Sequence, residues 1–296
     1  MVRCMRAGAR EFLETPSTAS SVSEALIRAA ARQSHKRIET SATGGVSVFF
    51  GSKGGCGVTT LACDFALLLA RESSRKTLLI DLDLPLGDVA LTLGITAKYS
   101  TADALNNFAR LDPTLLSKLL VQHGPYLSVL AAPSVISKVE STRLAVNKLL
   151  AVARQEFDFI VIDAGARLGT RAMTTFDIDA KFYLVSQVGI PDLRNANRII
   201  SEFFPASVGK LEIVLNRYAA SSLGLDDEHI TTALTRPAQW KIPENCVNAR
   251  RTQSAGIVLG LADSAVSKVV LQMACACAGV PMKEKKKNWL SALWGR

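Results

Sequence analysis

Histidine is scarce, with three in 296 residues, and the six cysteines, at 4, 56, 63, 246, 275 and 277, form no Cys-x-x-Cys pair. No histidine clusters near them, so neither a zinc site nor a disulfide framework is indicated, and a reducing cytosol fits this usage. Long apolar runs are missing as well. The N-terminal Met-Val-Arg-Cys-Met-Arg-Ala-Gly-Ala-Arg lacks the apolar stretch of a signal peptide. No later segment offers the roughly 18 uncharged apolar residues of a membrane span. The expectation is a cytoplasmic protein, soluble or peripheral to the inner membrane.

What is present is a core-forming composition, 48% hydrophobic, with a net charge of +9. That is enough for one large α/β domain. The excess of positive charge favours an anionic partner, either nucleic acid or the inner face of a membrane. Residues 1–44 hold a single aromatic residue and are rich in Ser, Thr, Ala and charge. They read as an extension, either loosely ordered or bearing one helix from Ser21 to about Arg32, where Ser21 and Glu24 form a capping-box pattern.

From Val46 onward, short apolar runs alternate with helical patterns: Val46 to Phe50, Thr77 to Asp83, Leu127 to Ala132, Phe157 to Asp163, Lys181 to Gln187 and Leu211 to Asn216. Continuous apolar strands separated by helices predict a doubly wound, mostly parallel sheet covered on both faces. Ligands of such sheets bind beyond the carboxyl ends of the strands. Residues 45–281 read as one domain, and 282–296 as a basic amphipathic tail.

The first strand runs into Gly51-Ser52-Lys53-Gly54-Gly55-Cys56-Gly57-Val58-Thr59-Thr60 and then a helix expected from Leu61 to about Glu72. Glycines there let successive backbone N–H groups converge on an anion at a helix N-terminus, where the helix dipole assists. This is a phosphate loop in its required context. The second strand leads into Asp81-Leu82-Asp83-Leu84-Pro85-Leu86-Gly87-Asp88, bringing carboxylates to the same sheet edge. Asp88 reads equally as the cap of a helix starting near Val89. A fourth apolar strand ends at Asp163, followed by Ala164-Gly165-Ala166-Arg167.

Lys-Gly-Gly-x-Gly-x-Thr-Thr resembles the deviant Walker A motif of the ParA/MinD ATPases, a P-loop NTPase fold. The resemblance implies that Gly54, Gly55, Cys56, Gly57, Val58, Thr59 and Thr60 surround the phosphates of ATP. It further implies that Lys53 is the signature lysine, reaching across a homodimer to the partner's nucleotide. Thr59, Asp81 and Asp163 would hold Mg2+, Asp83 would position the attacking water, and Gly165 would give a switch its freedom. Asn216 and Arg217, after the sixth strand, and Pro243 would lie at the adenine. Asn147-Lys148-Leu149-Leu150 lacks the acid of a guanine motif and falls within a predicted helix, which argues for ATP over GTP.

Val58 departs from the pattern, because the family places its second, phosphate-gripping lysine there. Losing a charge-assisted contact of about 1.5 to 3 kcal/mol weakens binding by roughly ten- to a hundredfold. Weak or absent hydrolysis is the expectation.

Three stretches narrow the resemblance to the CpaE/TadZ group of pilus-assembly ATPase homologues: Gly54 to Ala62, Asp81 to Leu91, and Pro191-Asp192-Leu193-Arg194-Asn195-Ala196 with Asn216-Arg217-Tyr218. That group usually carries a receiver-like domain ahead of its ATPase domain. The 44 preceding residues are too few to form one, so nothing assigned to it is carried over. The resemblance implies an organiser of a Flp/Tad (type IV) pilus or related secretion machine at the inner membrane, whose partners are that machine's proteins. A DNA-partitioning ParA, with DNA the weaker candidate partner, and a nucleotide-independent scaffold are the competing readings.

The tail reads Lys283-Glu284-Lys285-Lys286-Lys287-Asn288-Trp289-Leu290-Ser291-Ala292-Leu293-Trp294-Gly295-Arg296. Trp289, Leu290, Leu293 and Trp294 fall on one helical face directly after Lys285, Lys286 and Lys287. Such an element suits an anionic membrane surface, each lysine adding roughly 1 kcal/mol near anionic lipid. Docking of the tryptophans on protein is the alternative.

Overall fold

The computed structural model describes residues 45–136, 139, 142–166, 180–204, 210–219, 226–244 and 264–282. The helix expected over 21–32 lies outside the described residues, as do Arg167 and, in the tail, Lys285, Lys286, Lys287, Trp289, Leu290, Leu293 and Trp294.

The six expected strands form, as β1 (Gly45–Gly51), β2 (Thr77–Asp81), β4 (Leu127–Leu130), β5 (Phe159–Asp163), β6 (Ala180–Ser186) and β7 (Leu211–Tyr218). Two more join them: β3 (Val121–Gln122), too short to leave an alternation pattern, and β8 (Trp240–Pro243). Their order across the eight-stranded sheet is β3-β4-β2-β5-β1-β6-β7-β8. All pairings are parallel except that of β3 with β4.

Alternation along the strands divides the core into two layers. On one face Phe49, Leu79, Val161, Tyr183 and Val214 pack beneath α1 (Val58–Ser73) and the C-terminal helix α8 (Ala265–Ala278). Phe49 and Tyr183 stack there at 4.5 Å between ring centroids. Val266, Val270 and Met273 of α8 are buried in this layer, with Val269 packed against it.

On the other face Val48, Phe50, Ile80, Ile162 and Leu184 meet helices contributed by the middle of the chain. In order these are α3 (Thr101–Asn106), α4 (Pro113–Leu119), α5 (Arg143–Glu156), α6 (Ile190–Phe203) and α7 (Asp227–Leu234). The four-residue α2 (Val89–Thr92) lies between β2 and α3. Asn147 to Leu150 fall inside α5, as expected.

Two boundaries differ from the sequence reading, and both bear on the site. Helix α1 starts at Val58, three residues earlier than expected, because Gly57 at φ 99 turns the chain directly into the helix. Val58, Thr59 and Thr60 therefore form its first turn, where backbone N–H groups have no intrahelical acceptor. Strand β2 stops at Asp81, because the Asp81 carboxylate accepts the Asp83 N–H at 3.1 Å and bends the chain away.

Neighbouring strands β1 and β6 send their chains to opposite faces, β1 to α1 and β6 to α6. That divergence opens a crevice at the carboxyl ends of the strands, the place where open α/β sheets bind ligands.

Candidate nucleotide site

The loop from Gly51 to Gly57 occupies one wall of this crevice. Its conformation depends on two glycines with positive φ, Gly55 at 80 and Gly57 at 99. No heavy atom lies within 4 Å of where a Cβ would stand on Gly54 or Gly55, so the loop presents bare backbone to open space. Gly57 is different: a Cβ there would come within 2.3 Å of Asn216 Nδ2. That amide donates to the Cys56 carbonyl at 2.7 Å, while Asn216 Oδ1 accepts the Arg217 N–H at 2.9 Å. Asn216 is thereby a clamp across the back of the loop, a role that its strand-end position alone did not suggest. A bulge in β7, marked by Arg217 at φ 53, brings it there.

Cys56 and Val58 are both buried, and both pack toward Gly51, where an added Cβ would stand 2.6 Å from Cys56 Sγ and 2.9 Å from Val58 Cγ2. Burial pushes the Cys56 thiol up from its ordinary range, so it is a packing group rather than a nucleophile. Val58 faces the apolar layer under α1, and no cation replaces the missing ammonium from this position.

Across the crevice, Ser52 N–H donates to the Val185 carbonyl at 2.9 Å and Ser52 Oγ to Ser186 Oγ at 3.1 Å. Gln187 Nε2 reaches the Gly55 carbonyl at 3.3 Å. Lys53 Nζ meets Asp192 Oδ2, on the first turn of α6, at 2.7 Å. The loop is held to β6 and α6 as well as to β1.

The acidic side is built on β2 and β5. Asp81 and Asp163 are register partners on these adjacent parallel strands, and both are fully buried. Burial comes first among the causes that raise the Asp81 carboxyl, and the Asp163 charge adds to it. For Asp163 burial again dominates, opposed by the Thr59 hydroxyl and the Gly165 N–H. Asp163 Oδ1 accepts that N–H at 3.0 Å, whereas Oδ2 is buried without a hydrogen-bond partner among the described residues. Asp83 lies against the switch glycine, since a Cβ on Gly165 would be 2.2 Å from Asp83 Cγ.

Asp81 has structural duties that sequence reasoning gave to another residue. Its Oδ2 accepts the Val89 N–H at 3.1 Å, so it supplies the side-chain contact at the start of α2. Asp88, the expected cap, makes no side-chain cap hydrogen bond there and is exposed. Gly87 is needed beside Asp81, whose Oδ1 would lie 2.1 Å from an added Cβ. No group of three His, Cys, Asp or Glu among the described residues could by itself hold a metal ion. An octahedral Mg2+ that keeps several waters needs no such cage, only one or two protein oxygens beside phosphate. Thr59 with the unpartnered Asp163 Oδ2 fits that requirement, and the open backbone at Gly54 and Gly55 fits a polyphosphate.

Pro243 ends β8 opposite Tyr218. Beside it Tyr218 donates to Asp227 Oδ1 at 2.8 Å and Lys241 pairs with the same carboxylate, bracing the β7–β8 edge.

The sheet order, the phosphate loop at its crevice and the carboxylates behind it define an α/β domain with the fold of ParA/MinD P-loop ATPases. Residues 45–189 match the family model described as an AAA domain. Septum site-determining protein MinD of Synechocystis sp. is 27% identical over 208 residues, covering 68% of this chain and 76% of its own. A ParA family ATPase from Chlorobium tepidum superposes with a TM-score of 0.69 at 26% identity, over 78% of this chain and 98% of that one. MinD of Pyrococcus horikoshii, solved in complex with Mg-ADP, has a TM-score of 0.61 at 24% identity, over 77% and 93%. Together these likenesses agree with the fold of the ParA/MinD P-loop ATPases.

Proposed function

We propose that the chain is an ATP-binding, dimerising organiser or localisation factor with weak or absent hydrolysis, serving a Flp/Tad pilus or related secretion machine at the inner membrane. The observation that carries the nucleotide reading is the pairing of an open-backbone phosphate loop with a buried, unpartnered Asp163 oxygen beside Thr59. Backbone N–H groups of Gly54 to Thr60 would cradle the phosphates, and Thr59 and Asp163 would hold Mg2+ directly or through water. Asp81 would orient the loop that follows β2, and Asp83, beside Gly165, would position water. Bound Mg2+ supplies charge neutralisation at the phosphates. With Val58 buried, the loop offers no ammonium of its own beyond Lys53, which supports slow turnover. Asn216 would contribute to the site through the loop it clamps, with Arg217 and Pro243 forming the rim near the base.

The pilus role rests on the Asp81 to Leu91 and later motif stretches that resemble the CpaE/TadZ group. Peripheral attachment rests on the lysine and tryptophan pattern of the tail. A DNA-partitioning role is the second reading, favoured by the net charge of +9 and the likeness to a ParA family ATPase. The two separate in one pair of assays. Membrane organisation predicts that the chain co-sediments with anionic liposomes in Mg-ATP and loses this when Trp289 to Arg296 are deleted. Binding to non-specific duplex DNA that falls steeply with salt, with no liposome binding, would replace that reading by partitioning.

A further inference from the structure

The amino edge of the sheet, opposite the crevice, holds a cavity of about 440 Å3 that has no part in the nucleotide site. It opens where β2, β4 and β5 begin: Thr77 N–H donates to the Tyr126 carbonyl at 2.8 Å, and Asp158 N–H to the Lys76 carbonyl at 2.9 Å. Leu116 and Leu120, from α4 and the residue after it, line the cavity with Tyr126 and Phe157, and Lys76 and Glu156 are its charged residues. Leu116 is buried, whereas Tyr126 is 39% exposed. Neither the Lys76 ammonium nor the Glu156 carboxylate has an ion-pair partner among the described residues. An apolar hollow with a half-covered ring and two uncommitted charges suits a segment that is aromatic and basic together.

Helix α8 delivers such a segment to the same edge. Its last turn lies against the start of β1, where Cys277 Sγ stands 3.7 Å from Ser47 Oγ, and Gly279 at φ 66 ends it. Only β5 separates β1 from β2, and β4 follows β2, so the lateral offset is two to three strand spacings, roughly 10 to 15 Å. From Met282 to Trp289 the chain can reach up to about 25 Å, enough to pass under the edge to the layer of α4 and α5. Beyond lie Trp289, Leu290, Leu293 and Trp294 for the apolar lining and Lys285, Lys286 and Lys287 for Glu156. An indole face also suits the Lys76 ammonium. Residues 1–44 offer a single aromatic residue, Phe12, and match the cavity less well.

We propose that this cavity is the seat of the chain's own Trp289 to Trp294 segment, which lipid must compete for before the tail can anchor. The seat is argued from the cavity, the exit of α8 and the reach of the chain. The competition with lipid rests on the reading of the tail as a peripheral membrane anchor. Seated, the tryptophans cover Tyr126 and Phe157 instead of facing water, so membrane attachment is conditional on giving up that contact.

The test uses the full chain with photoreactive benzoylphenylalanine introduced at Tyr126, an exposed position, and maps the cross-linked peptide by mass spectrometry. The seat predicts cross-links to the 285–294 peptide at monomer mass. Without any substitution in the cavity, Trp289→Ala with Trp294→Ala should speed backbone hydrogen exchange in α4 several-fold. No cross-link to the tail, with α4 exchange unchanged, would overturn the seat. Cross-links to the tail at dimer mass, or to residues 1–44, would overturn the assignment of its occupant. Lipid is tested separately: Tyr126→Ala with Leu120→Ser should co-sediment with anionic liposomes at about tenfold lower lipid than the parent. Equal lipid binding by parent and variant would overturn the competition. A cross-linked tail in a chain that binds no liposomes in either form would leave the seat standing and remove the peripheral reading instead.

Discussion

The two halves of the candidate site are built in opposite ways. On the loop side the interior is apolar: Cys56 and Val58 are buried, Asn216 clamps the backbone, and Lys53 is drawn toward Asp192. On the acidic side three aspartates, Asp81, Asp83 and Asp163, converge around Gly165 and Gly87, and two of them are fully buried. One half has exchanged charge for packing, while the other maintains charge at the expense of stability. A nucleotide held between them would depend more on its metal than in a loop with two lysines, because the loop supplies backbone N–H groups where others add an ammonium.

The contrast is broken most severely by removing the acidic half. Thr59→Ala with Asp163→Ala should lower Mg-ATP affinity by about a hundredfold or more, the loss of two charge-assisted contacts of about 1.5 to 3 kcal/mol each, read by calorimetry. Asp163→Asn alone should separate function from stability: metal-dependent binding falls, whereas thermal stability at pH 8 rises, because a buried charge is gone. Restoring the loop half is the next largest effect. Val58→Lys should tighten Mg-ATP about tenfold if its ammonium reaches the phosphates. The same change removes an apolar side chain from beneath α1, so a lower melting temperature should accompany it. Equal affinity in Val58→Lys and the parent would show that the loop no longer approaches phosphate.

Two smaller effects sharpen the comparison. Asn216→Ala removes the clamp and leaves the Cys56 carbonyl without that donor, costing about 1 kcal/mol. In a domain of this size that lowers Tm by roughly 2 to 4 °C. The remaining prediction is pH dependence. Burial raises Asp81 to about 7 and Asp163 to about 6, from 3.8. Between those values the native state binds more protons than the unfolded one, so stability falls as pH rises from about 4 to 7 and then levels. Denaturant titrations at pH 5 and 8 measure this, and Mg-ATP should flatten the difference by supplying the cation that these carboxylates lack.

Most of the architecture was legible because β1, β2, β5 and β6 are continuous apolar runs that only a two-faced sheet can bury. The loop was legible for the same reason, as glycines between a strand and a helix have few other uses. What escaped were relations across the sheet. Asn216 meets Cys56 over a separation of 160 positions, and Asp192 meets Lys53 over 139. Neither leaves a local pattern, although an Asp in the first turn of a helix opposite a phosphate loop was a signal available to be weighed. One of two even readings of Asp88 made it a cap, because it directly precedes Val89, whereas the carboxylate in place is that of Asp81, seven positions earlier and carried there by the turn at Asp83. The start of α1 moved for a comparable reason: Gly57 stands outside any apolar periodicity, and its left-handed φ decides where the helix begins.

Calorimetric titration of the purified full chain with ATP, with and without Mg2+, tests the central claim most directly. The account predicts saturable binding that requires Mg2+ and is lost in the Thr59→Ala, Asp163→Ala double variant. Absence of detectable binding up to millimolar ATP, or binding indifferent to Mg2+ and to those substitutions, would contradict it.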